Sequence, residues 1–190
     1  MLAGGRSRRM GRDKLALEVG GETLIQHVAN ALSRRCDEVI LAGRVNEVLR
    51  NVRGVEDARP GEGPLAGLEA GLREARFPLV FAAAGDLPFL SPELISYLLD
   101  ELVGRGVQAV VPRRGGRLHP LCAAYQRSIL PHVVSALDEG VRSVGEFVGR
   151  LGRVAYVEEA EILPFGDPDM LLMNVNTPGD LRRARELAGG

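Results

Sequence analysis

Apolar positions along the chain alternate between short runs and longer amphipathic stretches, the pattern of an α/β fold with a mainly parallel sheet. Residues 39–42 and 79–84 read as buried strands, the second being the clearest central one. Weaker or shorter runs at 52–55, 109–111, 121–125 and 153–157 predict further strands, the second and third of these four flanking a polar turn from Arg113 to Arg117. The run 170–175 is expected to be the last strand. Helical spacing of Leu24, Ile25, Val28, Ala29 and Leu32 predicts a helix that ends near Arg34 and Arg35. Other helices are expected at 64–75, 92–103, 127–139, 143–150 and 178–187. Ser91-Pro92-Glu93 opens the third of these six with a capping serine, a proline at the first helical position and an acidic first turn. Only Met1, Leu2 and Ala3 precede the first glycines, whereas a strand feeding a glycine loop usually has five or so residues. The expectation is therefore a stunted first strand or a native start upstream of Met1.

No repeat, low-complexity tract or linker divides the 190 residues, so a single domain over 1–190 is expected. A formal net charge of -1 gives no electrostatic reason to expect a nucleic acid or an acidic membrane as partner. The two cysteines, Cys36 and Cys122, are too few and too far apart for a disulfide framework or a zinc site. With no signal peptide and no apolar run of membrane-spanning length, the cytoplasm is the expected compartment.

Charge becomes informative only locally. Five cations lie between residues 6 and 14, directly after Gly4 and Gly5. Glycines let backbone N–H groups approach a phosphate, and cations neutralise it. The last of the five, Lys14, is the only lysine in the chain; every other cation is arginine. An ammonium on a flexible stem reaches into a tight loop where a planar guanidinium does not fit. The spacing is neither a P-loop nor GxGxxG, and a glycine turn beside a solvated basic run is the plainer reading of the loop alone.

Three further features stand at strand ends, where ligands of open α/β sheets bind. Asp86 in Gly85-Asp86-Leu87-Pro88 follows the central strand and is placed either to hold Mg²⁺ or simply to make a turn. Asn174 and Asn176 in Asn174-Val175-Asn176-Thr177-Pro178 would share one side of the expected last strand. Asp57, after a short strand, is a candidate for nucleotide contact or a turn former. His119, in Arg117-Leu118-His119-Pro120, is a candidate for an acceptor pocket, together with the 142–150 segment. His27 and His132 fall within helical patterns and read as structural.

Taken together and in order, these pieces resemble a known family. The loop LAGGRSRRMGRDK resembles the signature of nucleotidyltransferases of the nucleotide-diphosphosugar-transferase fold. GPLAGL at 63–68, GDLPFL at 85–90, HPLCAAY at 119–125 and NVNTPGDL at 174–181 resemble the bacterial molybdenum cofactor guanylyltransferases, the MobA family. The resemblance implies a three-layer αβα sandwich with a Rossmann-like, mostly parallel sheet. It also implies transfer of GMP from GTP to molybdenum-bound molybdopterin, with Mg²⁺ as cofactor and other cofactor-biosynthesis or molybdoenzyme-delivery proteins as partners. By the same resemblance Leu2, Ala3, Gly4 and Gly5 would contact the nucleotide, Lys14 and Arg9 its phosphates, Asp57 the nucleotide, and Asp86 both nucleotide and metal. Apart from the resemblance, His119, Asn174 and Asn176 are the candidates for facing the acceptor. Where many members carry an asparagine contact after the second strand, this chain has Ala42, and that contact is not carried over. The alternatives are a cytidylyltransferase or sugar-phosphate nucleotidyltransferase on the same fold, and a non-catalytic nucleotide-binding protein.

Overall fold

A computed structural model describes residues 1–3, 14–43, 49–56 and 59–189. The strands are β1 (Leu2–Ala3), β2 (Glu18–Val19), β3 (Glu22–Thr23), β4 (Val39–Gly43), β5 (Val52–Val55), β6 (Leu79–Ala83), β7 (Ala109–Arg114), β8 (Arg117–Leu118), β9 (Cys122–Gln126) and β10 (Val154–Glu158). The helices are α1 (Leu24–Ser33), α2 (Pro64–Glu74), α3 (Pro92–Gly104), α4 (Leu130–Asp138), α5 (Val144–Val148), α6 (Glu159–Ile162), α7 (Pro168–Leu171) and α8 (Pro178–Ala188).

A single parallel bridge between Leu2 and Ala84 joins two sheets into the order β5-β4-β1-β6-β9-β7-β10. In that order only β9 runs antiparallel to its neighbours. Pleating sends alternate residues to opposite faces. Phe81, Ala83, Val110, Cys122 and Ala124 pack beneath α1, α3, α6 and α7. Ala82, Ala109, Val111, Ala123 and Tyr125 pack beneath α2, α4 and α5. The result is the three-layer αβα arrangement with a mostly parallel sheet.

Local chemistry accounts for most element ends. Thr23 and Gln26 form a reciprocal capping box at α1, Ser91 caps α3, and Thr177 and Asp180 form another box at α8. Gly115 and Gly116, both at positive φ, make the two-residue turn between β7 and β8. The predicted polar turn at 113–117 is thus the tip of a hairpin.

One expectation fails. Residues 170–175 do not form a strand: Asp167 caps the short helix α7 with Pro168 at its start, and residues 172–177 follow as irregular chain. The run Met170-Leu171-Leu172 is apolar because Leu171 and Leu172 plug the first core, and periodicity does not separate such a run from a buried strand. The β2–β3 hairpin was also not anticipated; its strands are two residues each and carry little pattern.

The first strand is indeed short. β1 has two residues, paired with Ala42 and Gly43 of β4. The Met1 ammonium is buried and donates to the Ile40 carbonyl at 2.8 Å, and burial lowers its pKa to about 6. Beside it, between the first residues of β4 and β6, lies an apolar cavity of about 270 Å³ lined by Ile40, Leu68, Leu72, Leu79 and Phe81 among others. Ala42 lies inside β4, opposite Leu2, rather than after the strand. No described helix is long and apolar enough to cross a membrane.

Candidate functional site

The parallel strands β1, β4 and β6 all end at the same edge of the sheet, and the candidate residues gather there. The chain leaves β6 through Ala84 and Gly85, whose N–H groups donate to Leu121 O at 2.8 Å and Leu2 O at 3.0 Å. A Cβ on Gly85 would stand 2.8 Å from Ile25 Cδ1 and 3.2 Å from the Leu2 carbonyl. A side chain here would press on the Leu2 carbonyl, so glycine suits the close approach to β1 that positions Asp86. Asp86 is buried, 6% exposed.

Two side chains from distant segments meet on this carboxylate, and a third joins them through the lysine. Lys14 Nζ donates to Asp86 Oδ2 at 2.6 Å and to Asn176 Oδ1 at 2.9 Å. Asn174 Nδ2 donates to Asp86 Oδ1 at 2.7 Å. The backbone agrees, since Val175 N–H donates to the Asp86 carbonyl at 3.0 Å. A buried carboxylate needs such partners, and here both of its oxygens have one.

Each partner is delivered by its own scaffold. Lys14 opens a 3-10 turn over Lys14–Ala16, and Leu15 behind it packs against the first core. The β2–β3 hairpin then carries Val19 into a small cluster with Leu24, Val175, Leu181 and Ala184. Val175 sits between the two asparagines, so this cluster pins them and the lysine segment to one another. Arg185 Nε adds a 3.0 Å bond to the Glu18 carbonyl. At the start of α8, Asp180 accepts from the N–H groups of Asn176 and Thr177 at 2.9 and 2.8 Å. Burial raises the Asp180 pKa, but these bonds and the nearby Lys14 charge outweigh it and hold the carboxyl below its usual range.

Next to this centre opens a polar pocket of about 250 Å³. Asn174 and Asn176 form part of its wall, with His119, Arg114, Arg117 and Arg183. His119 is 8% exposed, and its Nε2 is buried without a hydrogen-bond partner among the described residues. Burial, then the charges of Arg117 and Arg114, lower its pKa to about 4, so the ring is neutral near pH 7.

Of the residues singled out in the sequence, Lys14, Asp86, Asn174, Asn176 and His119 are brought together at one sheet edge. Leu2 and Ala3 lie at the same edge but within the sheet: Ala3 points into the first core and Leu2 packs against the second. Gly4, Gly5, Arg9 and Asp57 lie outside the described residues. The 142–150 segment is not part of the His119 pocket; Arg142 instead accepts from Leu65 N–H at 3.2 Å, and α5 belongs to the second core. Sequence reading missed Arg114, Arg183, Asp169 and Asp180 as pocket walls, because isolated charges on a turn and on a helix surface carry no motif.

The donor set also bears on a cation. Asp86 Oδ2 and Asn176 Oδ1 converge on the Lys14 ammonium, so two oxygens already enclose one positive charge. Among the described residues no group of three His, Cys, Asp or Glu could hold a metal by itself. One carboxylate suits a magnesium ion whose remaining ligands are substrate phosphates and water.

Comparison with known proteins gives the same picture. The chain is 40% identical over 190 residues to a protein of Pelotomaculum thermopropionicum named "probable molybdenum cofactor guanylyltransferase", covering 99% of this chain and 91% of that one. It is 30% identical to the molybdenum cofactor guanylyltransferase of Syntrophotalea carbinolica, over 100% and 91% of the two chains. The crystal structure of molybdopterin-guanine dinucleotide biosynthesis protein A from Archaeoglobus fulgidus superposes with a TM-score of 0.85 at 29% identity, covering 99% and 96%. The 2-C-methyl-D-erythritol 4-phosphate cytidylyltransferase of Thermus thermophilus shares the fold, with a TM-score of 0.72 at 24% identity over 93% and 94%. Residues 1–154 match the family described as MobA-like NTP transferase domain, and the chain belongs to that family.

Proposed function

We propose that this protein is a nucleotidyltransferase that transfers GMP from GTP to the terminal phosphate of molybdenum-bound molybdopterin, releasing pyrophosphate and the guanine dinucleotide cofactor. The observation that carries the reading is the Lys14–Asp86–Asn174/Asn176 constellation at the strand ends. The guanylyl specificity rests on the full-length likeness to the guanylyltransferases.

The chemistry asks little of a general base. An acceptor phosphate is anionic at neutral pH and is already a nucleophile. Two things limit the rate: repulsion between that anion and the triphosphate, and alignment of the attacking oxygen with the bond to the leaving pyrophosphate. Lys14 neutralises the phosphates of the donor, and Asp86 supplies the carboxylate that holds the metal. Asn174 keeps Asp86 Oδ1 engaged, so Oδ2 is the oxygen that changes partner when Lys14 leaves it for the nucleotide. Magnesium held by Asp86 and by phosphate oxygens would offset the charge that builds on the leaving group. Leu2, Ala3, Gly4, Gly5 and Asp57 are proposed to line the nucleotide side, with Arg9 near the triphosphate. His119, Asn174 and Asn176 line the acceptor side.

The test is pyrophosphate release measured with each nucleoside triphosphate, with and without molybdopterin. Release is expected with GTP and molybdopterin together. Equal release with CTP would move the reading to the cytidylyl alternative, and binding of GTP without release would favour a non-catalytic nucleotide carrier. A Lys14→Ala protein that kept near-full turnover would overturn the site assignment.

A further inference from the structure

We propose that the pocket formed by Arg117, Arg183 and His119 is a binding site for a phosphate monoester dianion, seating the acceptor's terminal phosphate beside Asp86. The inference rests on the transferase reading and adds to it the residues that grip the acceptor.

Charge bookkeeping across the pocket singles out two of its three arginines. Arg114 is paired with Asp169 on the same wall. Asp180 is committed to the N–H groups of Asn176 and Thr177. Arg117 and Arg183 have no ion-pair or hydrogen-bond partner among the described residues, although most of the described arginines do. Two guanidinium groups thus face one small polar space with their donors unspent, a fork geometry suited to phosphate oxygens.

His119 is the independent sign of a ligand. The backbone holds it firmly, with its N–H donating to Pro112 O at 2.9 Å and its carbonyl accepting from Cys122 N–H at 3.0 Å. Yet Nε2 is buried without a partner. A buried polar atom left in this way costs free energy unless something arrives to satisfy it. A neutral imidazole with Nε2 protonated offers one donor to a phosphate oxygen and adds no charge that would hold the product back.

Location gives the pocket its role. Asn174 and Asn176 belong to its wall and, through their side chains, to the Asp86–Lys14 centre. A phosphate seated there is joined through the two asparagines to the group proposed to bind the donor's metal.

The experiment uses the full chain with methyl phosphate as probe, followed by acceptor kinetics. In imidazole NMR, methyl phosphate should shift the His119 signal saturably and raise its pKa, leaving His27 and His132 unmoved. An Arg117→Gln/Arg183→Gln protein should lose that shift. The double variant should raise KM for molybdopterin about tenfold or more with KM for GTP nearly unchanged, and Arg117→Lys/Arg183→Lys should recover part of the loss. A His119 response that survives in the double Gln variant would overturn the proposal, as would a KM effect confined to GTP. Wild-type protein that binds methyl phosphate here but transfers no GMP would sink the transferase reading and leave the anion site standing.

Discussion

Lys14 Nζ lies 2.6 Å from Asp86 Oδ2, joining residues 72 positions apart at the end of the central strand. The pair is a substitute for what the site is proposed to bind, because the ammonium occupies the carboxylate oxygen that a metal would take. Replacing Lys14 by Met should therefore have two opposite effects. Turnover should fall by roughly two to three orders of magnitude, the scale of losing one charged transition-state contact. Affinity for Mn²⁺ alone should rise, because the carboxylate no longer has a resident cation. Isothermal titration without nucleotide checks this, and unchanged or weaker Mn²⁺ binding in the variant would count against competition for Asp86.

Asn174 acts on the other oxygen. Asn174→Ala removes the 2.7 Å bond to Asp86 Oδ1 and leaves a buried acceptor short of a partner. The expected cost is about 1–3 kcal/mol of stability, read from the denaturation midpoint. A fall in kcat with little change in KM for GTP should accompany it, since the asparagine orients the carboxylate and is not proposed to touch the nucleotide.

Gly85→Ala tests the close approach of β6 to β1. The Ile25 and Leu15 methyls, 2.8 and 3.2 Å from the new Cβ, can rotate away, but the Leu2 carbonyl at 3.2 Å is held in the sheet. Destabilisation by about 1–3 kcal/mol is expected, with loss of activity beyond it because Asp86 moves with the backbone. A variant as stable and as active as wild type would show that the spacing is slack.

His119 gives a pH dependence of defined sign. Its folded pKa, about 4, lies below the ordinary 6.5, so the unfolded chain binds more protons between those values. Stability should consequently rise with pH from about 4 to about 6.5 and level off above, by at most a few kcal/mol. Arg114, Arg117 and Arg183 and the carboxylates Asp169 and Asp180 line the same pocket, and after burial the charges of Arg117 and Arg114 lower the ring's pKa. The melting temperature of wild type relative to His119→Gln should fall as pH drops from about 6.5 to about 4, because only wild type has this proton to take up on unfolding. Parallel curves at all pH values would assign the acid sensitivity to other groups.

Much of the scaffold was legible along the chain because strands and helices of an α/β sandwich are specified locally. The runs at 39–42 and 79–84 became β4 and β6, and Ser91-Pro92-Glu93 capped α3 as its residue types require. The failure at 170–175 is instructive for the opposite reason: Leu171 and Leu172 are apolar to fill a core, and pattern alone does not say whether the backbone beneath them is extended. The two-residue strands β1, β2 and β3 are too short for any periodicity to mark.

For the site, residue types and strand-end positions nominated Lys14, Asp86, Asn174, Asn176 and His119 one by one, since glycine turns, a lone lysine and paired amides are local signals. Which of them touch was decided by folding. The asparagines reach Asp86 from irregular chain, held by Val175 in the Val19–Leu24–Leu181–Ala184 cluster, and not by strand alternation. Arg183 becomes a pocket residue only because α8 docks beside a β7–β8 hairpin whose tip is more than sixty positions away. A sequence records the chemistry each residue can offer; distances between remote residues depend on the sum of all packing contacts, which no local segment contains.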